Sequence, residues 1–256
     1  MMCCEKFSLL FAMNRKFLYE IFSELLTRNY RTKPTALHVE YRKIFCQEVM
    51  KMLIHESCEN FASLLAEKSP VPGGGGASAF VGALSAALCS MAGNFTVGKK
   101  KYADVEQDIR ANLAKSDELR RRLLSLVDDD AEAFTPLSEA YRLPKDDPER
   151  PAKLESATLN ACTVPLEIIR CCAEITGLLG EMLEKGSTML ISDVGCGAVL
   201  CRASMESAAM NIYINTSTLH DREQAGNIER ETDELLTKYT PELSEIAQKV
   251  IDIIRK

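Results

Sequence analysis

The sequence predicts an all-α protein, an antiparallel multi-helix bundle. Three observations carry that expectation. Long stretches with apolar residues at helical spacing alternate with short breakers rich in Pro, Gly, Ser and Asp. No run of β-branched residues alternates with a period of two. Two helix-length stretches carry narrow faces of Gly, Ala and Ser, which let helix backbones approach closely.

The elements follow in order. Ser57 is placed to cap a first helix carrying Phe61, Leu64 and Leu65, which ends before Ser69-Pro70-Val71-Pro72 and the four glycines Gly73 to Gly76. A second helix starts near Gly75 and runs to about Phe95. From Asp104 a polar, heptad-like stretch with Ile109, Leu113, Leu119, Leu123, Leu124 and Val127 continues to Leu143, and Pro136 predicts a kink within it. Pro144 to Pro151 is a turn. Helices are then expected from about Ala152 to Glu184 with a kink at Pro165, from Ser192 to Leu219, and from Asp221 to the C-terminus with a kink at Pro241. In the helix at Ser192, Asp193 suits the N-terminal turn, and Gly195, Gly197, Ala198, Ala203, Ala208 and Ala209 form the second small-residue face. The total is six or seven helices, and the two small-residue faces predict tight helix pairs or a homodimer seam.

Composition divides the chain. Residues 1–49 hold eight of the sixteen aromatics and none of the thirteen Gly, and eight Lys and Arg against five Glu leave them at +3. The remainder stands at −9 within a net charge of −6, and such an acidic body argues against a nucleic-acid partner. We read 1–49 as an accessory or extraneous extension, with Phe17, Ile21, Phe22, Leu25 and Leu26 suited to a short amphipathic helix, and 50–256 as the domain. Ten Cys in 256 residues are too few for a disulfide scaffold, and Cys89, Cys162, Cys171, Cys172, Cys196 and Cys201 sit among apolar or small residues as buried free thiols would. No CxxC or HxxxH spacing offers a zinc site, and the apolar stretch Phe7 to Met13 lacks a signal-peptide cleavage pattern, so a cytoplasmic protein is expected. Ala77 to Gly98 carries no charge and is long enough to span a bilayer, but its Ser, Asn and Thr and its small residues favour a closely packed soluble helix.

Several motifs could carry chemistry. The Gly73 to Gly76 run opens a helix whose free amides and dipole favour a carboxylate or phosphate, or else it is a flexible turn. Lys99, Lys100 and Lys101, at the far end of that helix, bind an anion or merely offset its terminal carbonyls. Gly93 to Lys100 approaches the P-loop pattern but ends in Lys100 where a hydroxyl must ligate Mg²⁺, and a helix precedes it where a strand should. Asp128-Asp129-Asp130-Ala131-Glu132 sets four carboxylates in a Leu-rich helix. Successive residues point about 100° apart, so at least one Asp turns inward beside Val127 and Phe134, where it gains a raised pKa and acid–base capacity. Asp128, Asp129 and Glu132 alternatively mimic the DDxxD arrangement that holds Mg²⁺ in all-α isoprenoid synthases, although no second acidic motif completes it. Asn211 and Asn215 share one helical face, as interhelical hydrogen-bond partners or as readers of a ligand.

The string Ser69-Pro70-Val71-Pro72-Gly73-Gly74-Gly75-Gly76, followed by the small-residue helix and Thr96-Val97-Gly98-Lys99-Lys100-Lys101-Tyr102, resembles the formiminotetrahydrofolate cyclodeaminase and methenyltetrahydrofolate cyclohydrolase family. Leu126 to Phe134, Thr163-Val164-Pro165-Leu166, and Ser192-Asp193 with Asn211 and Asn215 agree in order, over roughly residues 50–256. The resemblance implies an all-helical homodimer. It acts on the one-carbon bridge between nitrogens 5 and 10 of a tetrahydrofolate derivative, polyglutamylated or not, with no metal and no cofactor beyond that substrate. It places the catalytic acid–base on Asp130 and substrate contacts on Pro72, Gly73, Gly74, Gly75, Lys99, Lys101, Ser192, Asp193, Asn211 and Asn215. Gly76 departs from the Ser that relatives often carry, and Gly186-Ser187 from their Gly-Asn. The residues leave cyclodeaminase and cyclohydrolase open. The chain has no formiminotransferase domain to make a formimino substrate, which modestly favours cyclohydrolase.

Overall fold

The computed structural model describes residues 52–256, and the expected 1–49 extension with its amphipathic helix lies outside them. Among the described residues there are six α-helices and no strand. They are α1 (Cys58–Ala66), α2 (Gly74–Asn94), α3 (Glu106–Arg142), α4 (Arg150–Lys185), α5 (Ile191–Thr216) and α6 (Arg222–Ile254), with 3₁₀ segments at Leu53–His55, Lys100–Val105 and Thr188–Leu190. Ser57 caps α1 as expected, accepting the Asn60 amide, and Asp221 caps α6 by accepting from Glu223 and Gln224. Pro136, Pro165 and Pro241 each lie inside one continuous helix.

The centre of the bundle is an antiparallel pair, α2 against α5. Its small-residue faces meet as the sequence predicts for a tight helix pair. A Cβ added to Gly82 would come within 2.8 Å of Ser204 Oγ, and one at Gly197 within 3.5 Å of the Ser85 carbonyl oxygen. Two serines stitch the pair across this close approach. Ser85 donates to the Gly197 carbonyl at 2.8 Å, and Ser204 donates to the Ser78 carbonyl at 2.7 Å. These hydroxyls are fully buried and satisfied, which is how an apolar helix tolerates them. α3 packs on α2, α4 closes against both α3 and α5, and α6 covers α4 and α5. Ile109, Leu123, Leu126, Ile168, Ile175, Met205 and Ile212 fill the space between them.

This arrangement accounts for the two stretches long and apolar enough to cross a membrane, Gly74–Asn94 and Thr188–Thr216. Both are central helices of the bundle, hydrogen-bonded to each other through serines. The seven described cysteines carry free thiols. Cys196, expected to be buried, is exposed on the outer side of α5.

Candidate active site

The end of the bundle where α2 begins gathers the acidic motif of α3. Gly73 is the extended N-cap residue of α2, following a cis Val71–Pro72 bond. The helix start leaves the Gly74 and Gly75 amides without intrahelical acceptors. Gly76 N–H donates to Asp130 Oδ2 at 2.8 Å. The glycines are required here by space rather than by backbone freedom. A Cβ on Gly75 would sit 2.7 Å from Asp130 Oδ2 and closer still to Oδ1, and one on Gly74 would meet Asn211 Oδ1 at 3.2 Å.

The three aspartates diverge, as a 100° step per residue demands. Asp130 faces the glycine turn, where burial raises its pKa above the ordinary carboxylate value and the Gly76 amide only partly offsets that rise. Asp129 pairs with Arg122 at 3.0 Å, beside Glu167 of α4. Asp128 is buried and accepts the Leu53 amide at 2.7 Å through Oδ1, while its Oδ2 is buried without a partner. The DDxxD reading is therefore overturned. Asp128 and Asp129 are committed to different neighbours, and among the described residues no three His, Cys, Asp or Glu side chains converge as a metal site would need.

Burial also raises the Asp128 carboxyl, ahead of the lowering by the Leu53 and Ile54 amides. Its contribution to stability is fully present below the ordinary carboxylate range and is lost as pH rises through the raised folded value. Asp128→Asn keeps an acceptor for Leu53 and removes the charge, so its melting temperature should gain on the unmutated chain as pH goes from 4 to 8. Asp128→Ala removes the acceptor and should cost about 1–3 kcal/mol. An alanine variant as stable as the unmutated chain in denaturant titration would show that the contact holds nothing.

α5 contributes the remaining polar wall. Asn211 stands over Gly74 and is oriented by its own Nδ2 donating to the Ser207 carbonyl at 2.8 Å. Ser78 links the two helices here, donating to Gly74 O and meeting Ser207 Oγ at 2.8 Å. Asn215 lies one turn further along, facing the Cys162 thiol of α4, whose pKa burial pushes up to about 11. That thiol stays protonated and is no nucleophile. Pro72, Gly73, Gly74, Gly75, Asp130 and Asn211 thus come together, with Asn215 at their margin. The Ser78–Ser207 link was not foreseen, since isolated serines in a small-residue helix give no signal of which ones face a neighbour.

Lys99, Lys101, Ser192 and Asp193 are not at this end. The 21 residues of α2 separate Lys99 from the glycine turn by about 30 Å. Lys99 instead reaches Ser187 Oγ at 3.4 Å, Lys101 lies over the Tyr102 ring, and Asp193 occupies the first turn of α5. Within one chain, the glycine turn and the lysines are the two ends of the bundle.

Residues 57–234 match the family model described as formiminotransferase-cyclodeaminase. The chain belongs to this family. Its relatives include a methenyltetrahydrofolate cyclohydrolase of Methylorubrum extorquens, 43% identical over 188 residues that make up 72% of this chain and 90% of that protein. The formimidoyltransferase-cyclodeaminase of Mus musculus is 31% identical over 173 residues, 66% of this chain but only 32% of the mouse protein. Among solved structures, a formiminotetrahydrofolate cyclodeaminase from Thermotoga maritima superposes with a TM-score of 0.69 at 28% identity, covering 77% of this chain and 98% of that one. Family membership thus rests on the same stretch of chain that builds the glycine turn and the acidic motif.

Proposed function

We propose that this protein is a methenyltetrahydrofolate cyclohydrolase that uses Asp130 as its general base. The observation that carries the reading is the half-buried Asp130 carboxylate, held by Gly76 N–H against a glycine helix start. Its support is the stand-alone Methylorubrum cyclohydrolase, which this chain matches over nearly that protein's whole length. Asp130 takes a proton from water as the oxygen bonds to the cationic methenyl carbon. One carbon–nitrogen bond then breaks as that nitrogen is protonated, giving a formyl group on the other. The raised pKa brings Asp130 nearer to neutrality, where a general base is most effective. When ionised, it also attracts the cationic carbon. Asn211 and the Gly74 and Gly75 amides orient the substrate's polar edge, and no cofactor is called for.

The Thermotoga neighbour supports a second reading, cyclodeaminase. There nitrogen 10 of the formimino substrate attacks the amidine carbon, and Asp130 passes the proton to departing ammonia. Absorption of methenyltetrahydrofolate separates the two. It should vanish when enzyme is given the methenyl compound, whereas appearance from 5-formiminotetrahydrofolate with no loss of the methenyl compound would assign the second reading. Neither change in the presence of folded protein would refute both.

The active form is a homodimer built on the outer faces of α2 and α5. Ala77, Val81, Leu84, Leu88, Met91 and Phe95 recur at alternating four- and three-residue steps, as do Cys196, Val199, Ala203 and Met210 with Ser192 and Glu206. Leu84, Met91, Phe95, Val199 and Met210 are 39–67% exposed on this stripe, which suits a coiled-coil-like seam with a second copy. A two-fold axis across α2 sets its two ends against each other, so Lys99 and Lys101 of the partner subunit approach the glycine turn. Joint replacement of Leu84 and Met91 by Glu should give a monomer in light scattering and cut kcat/KM at least about 100-fold. A fully active monomer would refute the shared site. The protein is proposed to work in the cytoplasm.

A further inference from the structure

We propose that the groove one helical turn beyond Asp130 takes the benzoyl ring of the substrate's p-aminobenzoyl-glutamate arm, whose remainder runs over its outer end to Arg142, which holds a glutamate carboxylate. The assignment rests on the folate reading and gives a function to residues which that reading leaves unused.

On α3, Asp130, Phe134, Ser138 and Arg142 recur every four residues and so follow one ridge, which advances about 40° round the helix at each step. The last three line a groove of about 90 Å³ whose opposite wall is Pro70 and Val71. Both walls lead to the same carboxylate. Val71 is followed directly by Pro72 and the glycine helix start, and Phe134 lies one turn from Asp130. The groove is graded along its length, with Phe134 and Val71 nearest the reacting carbon, Ser138 beyond them, and Arg142 with Glu139 at the outer end. That order matches the substrate arm, in which a flat ring is followed by an amide and then by carboxylates.

The distance is suitable. Twelve residues of helix place the Arg142 Cα about 18 Å from that of Asp130. A helical side chain leans toward the helix N-terminus, a direction that lets the guanidinium reach a ligand lying between it and Asp130. Arg142 is exposed and, among the described residues, takes part in no ion pair, so its donors are available. The lysines of the same chain are at the opposite end of α2. Glu139 also lines the outer end, and its charge disfavours a carboxylate that strays from Arg142.

The test is steady-state kinetics of the full chain, followed by methenyl absorption with two substrates, 5,10-methenyltetrahydrofolate and 5,10-methenyltetrahydropteroate, which has no glutamate. Arg142→Ala should raise KM for the glutamate-bearing substrate about 10-fold with kcat unchanged, and leave KM for the pteroate unchanged. Arg142→Lys should recover part of the loss, and Glu139→Gln should lower KM for the glutamate substrate alone. An unaltered KM in Arg142→Ala, or an equal rise with both substrates, overturns the assignment while the unmutated chain's turnover keeps the folate reading standing. No turnover of either substrate by the unmutated chain overturns the cyclohydrolase reading and, with it, this assignment.

Discussion

Asp130→Asn should reduce kcat by about 10² to 10⁴, the usual worth of a positioned general base, while making the protein more stable at neutral and higher pH. The two effects have one cause. Burial raises the Asp130 carboxyl above its ordinary value, and the Gly76 hydrogen bond that lowers it is the smaller influence. A group whose folded pKa is raised supports the fold fully below its unfolded pKa and loses that support as pH rises through the folded pKa. Above that point the unmutated enzyme carries a partly desolvated charge that the amide does not. Asn at 130 still accepts from Gly76, so geometry at the helix start is kept. Each kcal/mol gained raises the melting temperature by about 2–4 °C in a domain of this size. The gain should be larger at pH 8 than at pH 4. In the unmutated enzyme, the acid limb of the kcat/KM profile should lie above the ordinary carboxylate range, because Asp130 must lose its proton to act. A variant with full activity, or a melting temperature lowered at every pH, would remove Asp130 from this role.

Gly75→Ala is the second large effect. Alanine is the better helix former, and at an open position in a helix it would stabilise by several tenths of a kcal/mol. At Gly75 the new methyl would meet both Asp130 oxygens, so either the carboxylate or the start of α2 must move. A displacement of about 1 Å at a reacting group costs about 10²-fold in rate, which is the loss expected here. Gly73→Ala is the matched control. Its Cβ finds only the Pro70 carbonyl, at an ordinary 3.8 Å, and activity should stay within about threefold of the unmutated enzyme. The comparison in one assay separates loss of space from loss of glycine flexibility, because both substitutions stiffen the same turn. Equal activity of the two variants would show that the close approach of Gly75 to Asp130 has no bearing on catalysis.

Much of the fold was legible because the breakers are strong. Ser57, the Pro-Gly turn, Pro144 to Pro151 and Asp221 each act locally, through a capping oxygen or a missing amide, and the observed helix ends fall within a few residues of the expected ones. Pro136, Pro165 and Pro241 were expected to kink their helices, and each lies inside one continuous helix. The residues read as functional were recognisable by type, yet their grouping was not. Lys99 and Gly74 are joined by a helix whose rigid rise holds them about 30 Å apart in one chain, so two anion-attracting features are remote in space. The Arg142 groove is not legible in the sequence for a related reason. Its far wall, Pro70 and Val71, comes from a turn more than sixty residues earlier in the chain.

The acidic run shows where the two kinds of information part. The sequence alone determined that three consecutive aspartates on a helix must point in three directions and that at least one turns inward, since helix geometry fixes the angle between neighbours. Only the tertiary structure decided their assignments: Asp128 under Leu53, Asp129 beside Arg122 and Asp130 against Gly75 and Gly76. That choice depends on which elements pack on each face of α3. Those elements arrive from distant parts of the chain, and local spacing carries no record of them.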